Sequence, residues 1–170
     1  MRRLAAPLAL LLASTACTTM EAAPPATSAL QPERMISPIL TSPEAVDAST
    51  YAEPQVARVT HVALDLDLDF AARRASGTAT LDVLAASGAN EIVLDSNGLE
   101  IARITDGAGR ELAYEIGNMV EEGGKGAPLT IQLDGATTLR IEYRAPADAA
   151  ALQWLSPEQT AGKVHPFLFS

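Results

Sequence analysis

The most regular feature of the sequence is an alternation of apolar and other residues between Val62 and Phe70. Large apolar side chains occupy every second position of this run, and alanine or aspartate lies between them. Side chains of a β-strand point alternately to its two faces, so this period predicts a strand with one buried and one solvated face. The side chains that we expect to be buried are Val62, Leu64, Leu66, Leu68 and Phe70.

A second strand is predicted directly after the first, and the two form a β-hairpin. The segment 71–77 contains two arginines and ends on Gly77, which predicts a turn, and alternation resumes from Thr78 to Val83. Five further strands are predicted between turn-forming residues: Glu91–Leu94, Leu99–Thr105, Glu111–Ile116, Pro128–Leu133 and Thr138–Arg144. About seven short strands at this spacing predict an all-β domain, a mostly antiparallel β-sandwich or curved open sheet.

The beginning of the chain has the pattern of an export signal. Arg2 and Arg3 precede an apolar run over 4–13, which is too short to span a bilayer. Small residues follow this run and lead directly to Cys17. We therefore predict a lipoprotein-type signal peptide over residues 1–16 and export to the periplasm.

Cys17 is the only cysteine of the chain, so no intrachain disulfide can form. Its position directly after the predicted cleavage site makes it the expected lipidation site. Several fatty chains on one residue would anchor the protein stably in a membrane. Thr18, rather than aspartate, follows it, which favours the outer membrane. Cleavage near Ala16 by an ordinary signal peptidase, without lipidation, is the alternative.

Residues 17–50 are predicted to form a disordered tether between the lipid and the folded domain. The segment contains five prolines among many alanine, serine and threonine residues and shows no apolar period. Such a composition buries too little surface to offset the entropy lost on ordering. The patch Met35–Leu40 is the exception, since it is apolar enough to dock on another surface. The β domain then spans residues 51–170.

The charge of the chain limits the classes of partner. The formal net charge is −9, and it becomes −11 once the signal with its two arginines is removed. Nucleic acids and anionic membranes are bound through basic patches, so this acidity argues against both as electrostatic partners. We predict no nucleic-acid binding, and contact with a membrane only through lipidated Cys17.

Three aspartates of the first predicted strand resemble part of a calcium site. Asp65, Asp67 and Asp69 share one face of the strand. A calcium-binding loop needs a sharp turn with glycine at its sixth position and glutamate at its twelfth. Phe70 and Ser76 occupy those two positions here. Because an extended strand also separates its carboxylates, we predict a solvated strand face rather than a metal site.

The sequence lacks the parts of a catalytic site. A protein zinc site needs three or four Cys, His or carboxylate ligands, and the only candidates besides carboxylates are His61, His165 and Cys17. The sequence contains no His-Glu-x-x-His helix and no Gly-x-Ser-x-Gly nucleophile motif. We therefore predict no catalytic, metal-binding or substrate-binding residue in this chain, and no cofactor.

A family resemblance is carried by the end of the chain. The segment from Leu152 reads Leu-Gln-Trp-Leu-Ser-Pro-Glu-Gln-Thr-Ala-Gly-Lys-Val-His-Pro-Phe-Leu-Phe-Ser. Together with Tyr51-Ala-Glu-Pro, the run Val59–Phe70 and Ser76-Gly-Thr-Ala-Thr-Leu, it resembles the N-terminal β domain of M1-family zinc aminopeptidases. The branch of leukotriene A4 hydrolase is the most similar. The resemblance covers residues 47–170.

The resemblance implies a β domain that packs on a zinc-containing catalytic domain and helps to wall its substrate channel. The zinc helix and the Gly-x-Met-Glu-Asn motif that grips the amino terminus of a peptide are absent from this sequence. Zinc is thus expected in the full-length enzyme only. The implied partners are the missing catalytic domain in cis, and peptides as substrates of the full enzyme. Because the chain ends on apolar Phe167-Leu-Phe, we expect it to be truncated at its C-terminus and inactive alone.

The aromatic residues of the last segment have two interpretations. Trp154, Phe167 and Phe169 either line a groove or docking face, or pack under a loop or against the catalytic domain; we favour the second. Two functions remain. The first is the non-catalytic domain of a membrane-tethered aminopeptidase. The second is a complete, non-enzymatic β-sandwich lipoprotein that binds a protein or a glycan.

Overall fold

A computed structural model describes residues 33–35, 40–120 and 124–170 of the chain. The predicted signal peptide and the lipidation site Cys17 lie outside these residues. The described part contains nine strands, a 3₁₀ turn over Pro157–Gln159 and no α-helix. The strands are β1 (Ala57–Asp69), β2 (Arg74–Ala85), β3 (Glu91–Ser96), β4 (Glu100–Asp106), β5 (Tyr114–Ile116), β6 (Ala127–Gln132), β7 (Thr138–Ala145), β8 (Gln153–Leu155) and β9 (Phe167–Phe169).

The strands form three antiparallel sheets. The largest has the order β1-β2-β7-β4, the second has the order β3-β6-β5, and β8 pairs with β9 alone. Every pairing is antiparallel. The prediction of an all-β, mostly antiparallel domain is therefore confirmed. The hairpin of β8 and β9 was not among the predicted strands.

One hydrophobic core lies between the first two sheets. Leu81, Ile104 and Leu139 enter it from the four-stranded sheet, and Ile92 and Ile131 enter it from the three-stranded sheet. All five are at least nine-tenths buried. Burial of one such side chain contributes about 1.5–3 kcal/mol. The two sheets thus pack as a sandwich around a core of buried aliphatic side chains.

The structure corrects the expected burial of β1. The apolar side chains of its second half are exposed: Val62 52%, Leu64 58%, Leu66 37%, Leu68 40% and Phe70 39%. The reason is that the strands of the two sheets differ in length. β1 has 13 residues and β3 has six, or about 43 Å against about 20 Å at 3.3 Å per residue. The smaller sheet covers Ala57 and Val59 and leaves the second half of β1 uncovered.

The predicted turn between the first two strands is also shorter than expected. Asp69 already pairs with Arg74, so the residues from 74 to 77 belong to β2. Gly77 lies opposite Leu66 in the ladder. A Cβ atom at Gly77 would collide with the backbone carbonyl of Asp65. Glycine is therefore required here by the close approach of two strands and not by a turn.

Part of the predicted tether contacts the β domain. The backbone N–H of Glu33 donates to the carbonyl of Ser87 at 3.1 Å, and that of Met35 donates to the carbonyl of Gln55 at 2.6 Å. Met35 begins the patch predicted to dock, and residues 36–39 of that patch lie outside the described part. Further along, Thr50 Oγ1 donates to an Asp95 carboxylate oxygen at 2.5 Å.

Asp106 organises the loop after β4. Its Oδ1 accepts hydrogen bonds from the backbone N–H groups of Ala108 and Arg110, each at 2.9 Å, and its Oδ2 accepts one from Arg110 Nε at 3.1 Å. These bonds, first the one from the Arg110 backbone, lower the pKa of Asp106 below its usual value. The charged carboxylate therefore stabilises the folded state.

We predict that Gly77→Ala destabilises the domain by about 2 kcal/mol, because an added Cβ forces β1 and β2 apart. Urea denaturation followed by tryptophan fluorescence or circular dichroism measures this loss. Gly107→Ala is the matched control, since a Cβ at Gly107 would lie 3.4 Å from the Thr138 side chain, an ordinary contact. Equal unfolding midpoints for the two variants would show that the close approach at Gly77 is unimportant.

A second prediction concerns pH. Because the pKa of Asp106 is lowered on folding, its contribution to stability is complete above the unfolded-state pKa of about 4 and disappears as pH falls through the lower folded-state value. Asp106→Asn should be less stable than the native chain at pH 7, and the difference should shrink by pH 3. Urea midpoints at both pH values test this. Asp148→Asn, on an exposed loop, should leave the pH dependence unchanged; a constant difference for Asp106→Asn would refute the assignment.

Candidate functional site

The terminal hairpin of β8 and β9 carries the aromatic residues that the sequence singled out. Trp154 lies opposite Leu168, and Phe167 and Phe169 lie opposite Leu155 and Gln153. Residues that pair directly share a face of the ladder, and successive pairs alternate between faces. Trp154 therefore points to one side of the hairpin and both phenylalanines point to the other.

The loop between β8 and β9 is closed by local hydrogen bonds. Thr160 Oγ1 lies 2.9 Å from the carbonyl oxygens of both Pro157 and His165. A capping box at the 3₁₀ turn joins Ser156 and Gln159, with the Ser156 N–H donating to Gln159 Oε1 at 2.9 Å. These contacts order the connection, so the two short strands are held together although each has only three residues.

Trp154 packs on the end of β1. Its ring meets that of Phe70 edge to face, with centroids 5.4 Å apart and an angle of 88°. Its indole Nε1 is buried and has no hydrogen-bond partner among the residues that the structure describes. A buried indole N–H normally has an acceptor. The exposed apolar side chains in the second half of β1 are called the stripe of β1 below: Val62, Leu64, Leu66 and Leu68. The contact with Phe70, which follows this stripe, links the terminal hairpin to it. No local sequence signal indicates this link.

Phe167 and Phe169 face outward on the other side of the hairpin, with 54% and 62% of their surface exposed. Leu168 between them is half-buried. Of the three aromatic residues for which we expected packing, only Trp154 is covered. The hairpin therefore exposes two phenylalanines that are neighbours on one face of β9.

The charged groups of the hairpin loop interact with one another. Ser156 Oγ donates to a Glu158 carboxylate oxygen at 2.6 Å, which lowers the pKa of Glu158. Lys163 Nζ donates to the Glu158 backbone carbonyl at 2.7 Å. Both charged side chains thus take part in hydrogen bonds within the loop.

The remaining sequence candidates lie apart from the hairpin. His61 lies on β1 opposite Asp82, and Asp65 and Asp67 lie opposite Thr78 and Ser76 on the outer face of the sheet. Within the described ranges, no three His, Cys, Asp or Glu side chains are grouped closely enough to hold a metal ion. In the same residues no helix is long and apolar enough to cross a membrane.

A depression beside β4 and β7 carries the other cluster of charges. Arg103 pairs with Glu142 at 2.6 Å, and Arg144 pairs with Glu100. The hydrogen bond that Arg103 donates to the Glu142 carboxylate raises the pKa of Arg103. Tyr143 lines the same depression, and burial raises the pKa of its phenol. Both carboxylates are thus held in ion pairs.

Comparison with known proteins identifies the family. The chain is 32% identical over 131 residues to leukotriene A-4 hydrolase of Xenopus laevis and 35% identical over 118 residues to leucine aminopeptidase 2 of Phaeosphaeria nodorum. These alignments cover 73% and 65% of this chain but only 21% and 18% of the relatives. No family model matches the chain.

The fold gives the same result. A solved structure of yeast LTA4 hydrolase in complex with bestatin superposes on 76% of this chain with a TM-score of 0.66 and 27% identity. The superposed part is 21% of the yeast protein. The chain thus has the all-β architecture of an M1 aminopeptidase N-terminal domain. It belongs to the M1 family, in the branch of leukotriene A4 hydrolase, as the resemblance predicted. The chain spans about one fifth of the length of the relatives that it matches.

Proposed function

We propose that this chain is the non-catalytic β domain of a membrane-tethered zinc aminopeptidase. The observation that carries the proposal is the match to aminopeptidase relatives over about three quarters of this chain and about a fifth of their length. The sequence contains neither His-Glu-x-x-His nor Gly-x-Met-Glu-Asn. The residues of catalysis therefore belong to a part of the enzyme outside this sequence.

The role of the domain in such an enzyme is to pack on the catalytic domain and help to wall the substrate channel. The outward-facing Phe167 and Phe169 support this role, because adjacent exposed phenylalanines on an ordered strand are typical of a surface that another protein unit covers. The proposed partners are thus the catalytic domain in cis and, for the whole enzyme, peptides that lose their N-terminal residues.

Zinc in the whole enzyme would activate water for attack on the first peptide bond of the substrate. His61 lies on β1, and His165 lies in the loop between β8 and β9. We assign no catalytic residue and no metal ligand here.

We further propose that the protein is exported and anchored to the outer membrane through lipidated Cys17. The sequence pattern of residues 1–16 and the single cysteine support this proposal. An anchor of this kind would hold the β domain on the periplasmic side.

We expect the 170-residue chain, purified alone, to hydrolyse no aminoacyl p-nitroanilide substrate and to bind no zinc stoichiometrically. Absorbance assays and metal analysis test this. A zinc-dependent turnover by the chain alone would overturn the assignment as a non-catalytic domain.

Reading the source gene beyond codon 170 tests the proposal directly. An open frame that continues into a zinc helix and a Gly-x-Met-Glu-Asn motif would support it. A stop codon with no such domain nearby would contradict it and favour the non-enzymatic lipoprotein.

A further prediction concerns the anchor. Expressed in a bacterial host, the native chain should incorporate labelled palmitate and sediment with outer membranes, and Cys17→Ser should lose both properties. Cys17→Ser tests the anchor without altering the β domain, whose first strand begins at Ala57. Retention of Cys17→Ser in the outer-membrane fraction would show that another part of the chain holds it there.

A further inference from the structure

The second half of β1 is an uncovered sheet edge. β1 is the outermost strand of the order β1-β2-β7-β4, and its only strand partner in the described residues is β2. An edge strand presents backbone N–H and C=O groups that have no ladder partner. From Val62 to Asp69 this edge spans about 26 Å at 3.3 Å per residue. It is long enough to pair with a strand of about eight residues.

The inner face of this edge is apolar and exposed. Leu64, Leu66 and Leu68 point to the same face as the small residues Ala79, Gly77 and Ala75 that lie opposite them on β2. Because these residues of β2 are small, no large side chain lies directly opposite the leucines. Leu64 is 58% exposed although its face continues into the core. A strand added beside β1 would cover these leucines from the open side.

The outer face of the same edge is acidic. Asp69 is paired with Arg74 at 3.5 Å and accepts the Ala72 N–H, but neither Asp65 nor Asp67 forms an ion pair with any described residue. Their neighbours across the ladder are the neutral Thr78 and Ser76. Two unneutralised carboxylates thus stand beside the open edge.

This charge pattern disfavours a second copy of the chain as the occupant. In an antiparallel pair of two β1 edges centred on Leu66, Asp65 of one copy would lie directly opposite Asp67 of the other. In a pair centred on Asp65, the Asp65 carboxylates of the two copies would lie opposite one another. A pair centred on Asp67 would do the same for the two Asp67 carboxylates. Like charges directly opposite one another destabilise a sheet, and edge charges are a common protection against self-association.

We propose that the edge of β1 from Val62 to Asp69 binds an extended polypeptide segment in which large apolar residues alternate with lysine or arginine. Backbone hydrogen bonds would extend the sheet by one strand. The apolar side chains would cover Leu64, Leu66 and Leu68, and the basic side chains would lie beside Asp65 and Asp67. This surface lies on a different sheet from Phe167 and Phe169.

Peptide binding to the 170-residue chain tests the proposal. The probe is a fluorescein-labelled nine-residue peptide of alternating lysine and valine, and fluorescence anisotropy at about 50 mM salt measures its affinity. A peptide of the same composition, with its lysines and valines in separate blocks, and an alternating glutamate–valine peptide are the controls. We expect the alternating lysine peptide to bind at least tenfold more tightly than either.

Charge reversal on the protein supplies the matched test. The variant Asp65→Lys/Asp67→Lys should lose at least tenfold in affinity for the lysine peptide and should gain affinity for the glutamate peptide. The control is Glu44→Lys/Asp148→Lys, which changes the net charge equally at two exposed sites outside the strands and should bind as the native chain does. Equal losses in both double variants would reduce the effect to overall charge and overturn the proposal.

Hydrogen exchange locates the bound segment. Addition of the lysine peptide should protect backbone amides of residues 62–69 and leave β5, the edge of the smaller sheet, unchanged. Absence of protection in β1 would refute strand addition. A concentration-dependent dimer in analytical ultracentrifugation that Leu66→Ser abolishes, together with no peptide binding, would assign the edge to a second copy instead.

Discussion

The burial of aliphatic side chains between two sheets of unequal length is the interaction on which the rest of this structure depends. Leu139 and Ile131 lie at its centre and are fully buried. The three-stranded sheet covers only part of the four-stranded sheet, because β3 is about half as long as β1. The exposed stripe of β1 follows from this difference. The terminal hairpin contacts Phe70 at the end of this stripe, and none of its described residues belongs to the core.

The charged side chains that form ion pairs lie outside this core. Ion pairs lie on exposed surfaces, as with Arg103 and Glu142, and pairs of this kind contribute little to folding stability. Asp106 differs, because its carboxylate accepts backbone hydrogen bonds and fixes a loop beside β4. Asp65 and Asp67 belong to the acidic surface that remains, on the outer face of β1.

The folded β domain leaves two apolar regions of its described surface exposed. The chain spans about a fifth of the length of the relatives that it matches. Phe167, Phe169 and the stripe of β1 form two separate exposed regions, on different sheets. Only the first lies in the segment that carried the family resemblance. The exposure of the stripe of β1 follows from the order of the strands in the sheet and from the length of β1.

The sequence by itself determined the fold class and the positions of seven strands, because period-two alternation and turn residues are local signals. It also determined the family, through the segment around Trp154. Only the tertiary structure decided which apolar face is covered: the alternation of β1 predicted a buried Leu64, yet burial depends on the reach of another sheet. It likewise decided the role of Gly77, which looks like a turn residue in sequence and lies inside a strand. Contacts such as that between Trp154 and Phe70 join residues far apart in the chain, and no local pattern encodes them.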